Sequence, residues 1–213
     1  MTIESILTFA IAVGALAMKP GPGMMMVMSR SIAGGWPACL AFVSGFCVVS
    51  LLFLGFVVLG YRFVAVDMTF ISILIKSLAA VYLIFMGIKG LQTAQDELIL
   101  QKTKVEGIWD NFSSSVMLTL SNPLTIVFYA GILPTVLDVQ SMTTYEIAII
   151  AMVIIAVEFA VAIAYCAPLI LFRYKFEQKS LKGLKIFSSL ILILVGLYIG
   201  FTAINAQDLL TVF

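Results

Sequence analysis

The sequence predicts an all-α integral membrane protein: six transmembrane helices in a single domain over 1–213, built as two inverted three-helix repeats. Three observations predict it. The chain is 62% hydrophobic and 11% charged, with a mean hydropathy of +1.17, whereas a soluble domain averages roughly 25% charged residues. Six stretches approach the ~20 apolar residues that a membrane span requires, at about 4–28, 38–61, 68–90, 114–137, 143–172 and 186–206. Finally, the first span of each half is broken, by Pro20-Gly21-Pro22-Gly23 and by Asn122-Pro123.

The connections follow in order. Gly34-Gly35-Trp36-Pro37 separates spans one and two, and Asp67 marks the next turn. Residues 91–113 form the long polar connection between the halves, about 1–90 and 114–213, and read as a surface helix and linker. Asp138 to Thr144 is a short loop, and Arg173 to Lys185 a basic one. Glu4 stands where a cleavable signal would carry positive charge, so the first helix is expected to be retained.

Charge sets the expected orientation. Arg30, Lys89, Lys102, Lys104, Arg173, Lys175, Lys179, Lys182 and Lys185, nine of the twelve basic residues, fall in or beside the loops of one side. The positive-inside rule then puts these loops in the cytoplasm and both termini outside. Trp36, Tyr61, Trp109, Tyr145 and Tyr174 near span ends suit an interfacial aromatic belt.

Several function classes lose support. A net charge of +1 points to no nucleic-acid partner, and the polar connection holds no phosphate loop. The absence of histidine removes the commonest metal ligand and the usual neutral-pH proton shuttle. Met24, Met25, Met26 and Met28 face different sides of a helix, so packing is the better reading than a soft-metal stripe. No metal, cofactor or enzymatic role is expected. Cys39, Cys47 and Cys166 read as buried small hydrophobes.

The breaks carry the functional reading. Proline removes a backbone donor, and lipid cannot satisfy the freed carbonyls. Paired broken spans in two halves mark a transporter's midplane site. Carbonyls near Pro20 and Pro123 can accept from an ammonium or a cation. A helix restarting near Gly23 or Leu124 offers its positive dipole end to a carboxylate. Ser121 and Asn122 can cap the break locally or touch substrate, and Thr125 and Tyr129 follow one face from it.

Glu158 lies within Ile154-Ile155-Ala156-Val157-Glu158-Phe159-Ala160-Val161. An acid at a span centre costs ~2.5–3.5 kcal/mol on insertion scales, so it must face protein or water. Apolar surroundings penalise its ionised form and favour a carried proton, whereas a paired cation favours the charge. Lys19 is the natural partner, as an exchangeable ion pair or as a snorkelling side chain. Aligning the halves matches it to Asn122.

These motifs occur in an order that resembles the LysE/RhtB family of amino-acid exporters over nearly the whole chain. They are Pro20-Gly21-Pro22, Ser29-Arg30-Ser31, Lys76 with Tyr82-Leu83 and Gly87, Ser121-Asn122-Pro123, Leu133-Pro134, and Gly196/Gly200. The resemblance implies a six-helix protein of the bacterial inner membrane that exports amino acids or related small metabolites on a proton or ion gradient. It also implies a gate or structural role for Arg30, with a homodimer among its partners besides substrate and bilayer. Gly23 and Leu124 depart from the family, which often has Asp or Asn and Lys there. The competing classes are a membrane thiol-redox carrier, a metal-ion exporter and a non-transporting scaffold. A related redox group carries cysteines in its first and fourth spans, where this chain has none. The Gly196/Gly200 face can pack within the bundle or between copies.

Overall fold

A computed structural model describes residues 1–63, 68–94, 104–172 and 178–210. Seven helices follow in order: α1 (Ile3–Met18), α2 (Pro22–Phe63), α3 (Met68–Gln92), α4 (Ile108–Leu120), α5 (Pro123–Val136), α6 (Thr144–Phe172) and α7 (Gln178–Leu210). Among the described residues there is no strand. Helices α2, α3, α6 and α7 are long and apolar enough to cross a membrane, the α4–α5 pair, bent by 64°, is so only when its two helices are taken together, and α1 is a shorter apolar helix. The chain is thus a multi-pass membrane protein.

Helices stand where the sequence predicts spans, with shifted ends, and four of them, or five with the bent α4–α5 pair counted as one, have the length and apolarity of a span. The first predicted span is two helices, because Pro20 and Pro22 lack the N–H groups that would continue the ladder. Helix α2 has 42 residues, about 63 Å if straight at ~1.5 Å per residue, roughly twice the ~30 Å hydrocarbon core. It is divided at Gly35, where φ 65° and ψ −153° interrupt it, within the predicted separator. That backbone region is open essentially to glycine and costs other residues ~1–3 kcal/mol. Gly35→Ala is therefore expected to destabilise the detergent-solubilised protein by ~1–3 kcal/mol; an unchanged thermal midpoint would contradict this.

Two boundaries need larger correction. Helix α4 begins at Ile108 rather than near 114, because polar residues build its start. Asp110 accepts from the Gly107 N–H at 3.2 Å, and the Asn111 amide donates to the Glu106 and Gly107 carbonyls at 3.2 and 2.8 Å. Helix α7 begins at Gln178, so Lys179, Lys182 and Lys185 are helical instead of lying in a loop. Asp67, Lys102, Arg173, Lys175 and Tyr174 lie outside the described residues.

Two apolar cores hold the bundle. One joins α1, the later part of α2, and α3, α5, α6 and α7 through Phe9, Leu54, Leu83, Phe128, Ile150 and Leu192. The other joins both segments of α2 to α6 through Met28, Phe42, Val43, Cys166 and Leu169. Helices pack closely where glycine permits. A Cβ at Gly45 would meet the Phe112 carbonyl at 2.6 Å, and one at Gly196 would meet Ile84 and the Ala80 carbonyl of α3 at 2.8 and 3.0 Å. The Gly196/Gly200 face is thereby used inside the bundle, against α3, and is not free for a second copy. The outward faces remain apolar: Leu74, Leu78, Val81, Phe85 and Ile88 form an exposed stripe at helical spacing on α3.

The two ends of the bundle carry different contacts. At one, the Met1 ammonium pairs with Glu146 at 2.7 Å, beside the loop between α5 and α6. At the other, Arg30 pairs with Glu106, and the Lys185 ammonium bonds the Thr93 carbonyl. Arg30 lies on α2 before the kink, 8% exposed, and not in a loop.

Candidate functional site

Both breaks meet at one cavity. At the first, α1 ends at Met18, Lys19 is extended (φ −63°, ψ 116°) and its N–H turns back to the Leu16 carbonyl at 3.3 Å. Pro22 has no N–H for the Met18 carbonyl, which would be its partner in a continuous helix. The Tyr165 hydroxyl of α6 donates to that carbonyl instead, at 2.7 Å. At the second break, Pro123 cannot serve the Thr119 carbonyl, and the Asn122 N–H takes it at 3.1 Å. The Asn122 side chain accepts from the Leu124 N–H at 3.1 Å and so caps α5.

The helices restart at Pro22 and Pro123, each suited to a first helical position. The register therefore places Gly21, not Lys19, opposite Asn122 in the two breaks. Gly23 and Leu124 then correspond.

The cavity has a volume of about 180 Å³. The first break contributes Lys19, Gly23 and Met24, and the second contributes Thr119, Asn122, Leu124 and Thr125. Phe46 and Ser50 come from α2, Met86 from α3, and Glu158 and Ala162 from α6. The lining draws on both apolar cores, so the cavity lies where they meet. It reaches the surface at Asn122, which is exposed. The ends of α1 and α4 and the starts of α2 and α5 all contribute to its wall. Two positive dipole ends thus adjoin the space.

Glu158 is the half-buried acid of this cavity. Its Oε1 accepts from the Ser50 hydroxyl at 2.6 Å, while Oε2 is buried without a hydrogen bond. The Cys47 thiol and Tyr129 hydroxyl stand beside the carboxyl. Lys19 lines the same cavity, but no ion pair joins it to Glu158 among the described residues. The site therefore presents one cationic and one acidic group that are not neutralised by each other.

Other expected site residues are placed differently. Pro20, Gly21, Ser121 and Pro123 shape the breaks without lining the cavity, and the backbone of Pro22 starts α2 after the first break. Tyr129 is 0% exposed and packs edge-on to Phe128, with centroids 5.6 Å apart. It stands behind Glu158 rather than on the cavity wall. Arg30 is held by Glu106 away from the cavity.

The sequence reading missed Ser50, Phe46, Tyr165 and Glu106. Tyr165 carried a readable signal, since it follows Glu158 and Ala162 at i, i+4, i+7 spacing on α6. Removing its hydroxyl leaves the Met18 carbonyl without this donor, so Tyr165→Phe should destabilise the protein by ~1–3 kcal/mol. Thermal unfolding in detergent measures this, and a wild-type midpoint would refute the capping role.

Gly23 has a neighbour that accounts for its missing side chain. A Cβ there would stand 2.9 Å from Phe46 Cζ, so the ring occupies the space a larger residue would enter. The two departures from the polar residues expected at these positions, Gly23 and Leu124, thus give this cavity an apolar wall.

The LysE type translocator family model matches residues 14–202. An uncharacterized membrane protein of Synechocystis is 27% identical over 150 residues, covering 70% of this chain and 73% of that protein. No solved structure matches the chain.

Proposed function

Because the chain belongs to the LysE type translocator family, we propose that it is a secondary transporter exporting amino acids or related small metabolites on the proton gradient. Family membership makes it a membrane transporter; the substrate, the driving ion and the site are our reading. One observation carries that reading: a single cavity takes its wall from both Pro-broken helices and holds Lys19 and Glu158 apart.

An amino acid matches these groups. Its carboxylate suits Lys19 and the helix starts at Gly23 and Leu124, where backbone N–H groups and dipole ends are positive. Its ammonium suits Glu158, whose Oε2 has no partner, and the Asn122 side chain. Its side chain lies against Phe46, Met86 and Leu118, which favours small apolar substituents. A proton and an ammonium compete for the same carboxyl, and that competition couples export to proton entry.

The architecture of the proposal is six spans in two inverted triplets within one domain. Helix α1 with residues 22–34 forms the first broken span, and α4–α5 forms its counterpart. Rocking of the halves opens the cavity to either side in turn. The Arg30–Glu106 pair links the segment before the kink to the connection just ahead of α4, and acts as a gate at the basic end. Localisation is the bacterial inner membrane, with the basic end cytoplasmic and both termini outside.

The test is counterflow of amino acids and analogues into vesicles holding the purified protein. Exchange of small apolar amino acids, accelerated by a proton gradient, is expected. No exchange of any amino acid or analogue would overturn the proposal. Gly23→Asn should push the Phe46 ring aside and weaken the preference for apolar over polar side chains by roughly tenfold, about 1.4 kcal/mol; competition by pairs of amino acids measures it.

A further inference from the structure

Cys39 and Cys166 are both 0% exposed, and they belong to the same apolar core. The two thiols adjoin each other, and both adjoin Ser31. The Ser31 hydroxyl bonds the Cys166 sulfur at 3.1 Å and the Val27 carbonyl at 2.6 Å, which fixes the pair beside the first segment of α2. Cys39 opens the second segment of α2, just after the kink at Gly35. Cys166 lies about two turns beyond Glu158 on α6, at ~3.6 residues per turn. The fold brings together one thiol from each half.

We propose that Cys39 and Cys166 are a redox-closable pair whose disulfide fastens the second segment of α2 to α6. Two S–H bonds break and one S–S bond forms. The two electrons and two protons pass to a thiol oxidant, and with diamide its N=N bond is reduced to the hydrazine. The bond would tie a segment beside the Gly35 kink to the helix that carries Glu158, so relative motion of the two stops. This last consequence rests on the transport reading; formation of the bond does not.

The experiment treats the full-length protein in vesicles with diamide, then denatures it and counts free thiols with a maleimide mass tag. The wild type should fall from its three thiols to one, Cys47, as a monomer on a non-reducing gel, and dithiothreitol should restore all three. Cys39→Ser and Cys166→Ser should each keep both remaining thiols. Retention of three thiols in the wild type, pairing in either variant, or loss of thiols into cross-linked dimers would overturn the pair. In parallel, oxidised wild type should lose counterflow and recover it on reduction, while Cys166→Ser stays active throughout. Pairing with unchanged counterflow would overturn the lock alone. Absence of counterflow in every sample would count against the transport reading, and the thiol count would still decide the pair.

Discussion

Glu158→Gln should abolish proton-driven export while leaving substrate exchange in place. The amide keeps the size of the carboxyl, and its oxygen can still accept from Ser50 as Oε1 does. It cannot take up or release a proton in the working range. A positioned proton-transfer group contributes roughly 10²–10⁴-fold to a rate, so export under a proton gradient should fall by at least ~100-fold. Counterflow at equal pH needs no net proton movement and should persist. Measuring both in the same vesicles separates coupling from folding. Wild-type gradient-driven export by the variant would remove Glu158 from the mechanism. Loss of both activities with a lowered melting temperature would instead give the residue a purely structural role.

Lys19→Gln should act on substrate affinity. Lys19 lines the cavity and has no ion pair with Glu158, so its charge is available to a carboxylate. Hydrogen bonds to charged groups contribute ~1.5–3 kcal/mol, which corresponds to a half-saturation concentration raised by roughly 10–100-fold. The saturated exchange rate should change much less. An amine analogue lacking the carboxylate should bind wild type and variant alike. Equal weakening for the amino acid and that amine would show that Lys19 shapes the break instead of binding the substrate.

The legible parts of the fold were those with strong local chemistry. Long apolar runs announced the spans, and α6 begins and ends where its hydropathy changes. Pro20, Pro22 and Pro123 announced the breaks because a missing N–H acts locally, whatever surrounds it. Glu158 stood out because an acid amid aliphatics requires a reason. What remained hidden depended on tertiary approach. The start of α4 at Ile108 is built by Asp110 and Asn111, residues that read as loop by composition. Tyr129 sits at a spacing compatible with the cavity, yet its face turns into the core beside Phe128. Lys19 and Glu158 share a cavity without sharing an ion pair, a distinction that no spacing rule resolves. Tyr165 and Cys166 each find partners far away in sequence, at Met18 and Cys39.

The central claim is that the space between the two breaks is a passage reached alternately from both aqueous sides. Thr125, which is buried and lines that space beside the second break, provides the most direct measurement. In a chain with its three native cysteines replaced by serine, Thr125→Cys is labelled with a membrane-impermeant maleimide applied from one side of sealed vesicles, then from the other. The account predicts labelling from each side, slowed by an exchanged amino acid and shifted between sides by the proton gradient. A thiol that reacts from neither side, in a variant that still performs counterflow, would contradict it.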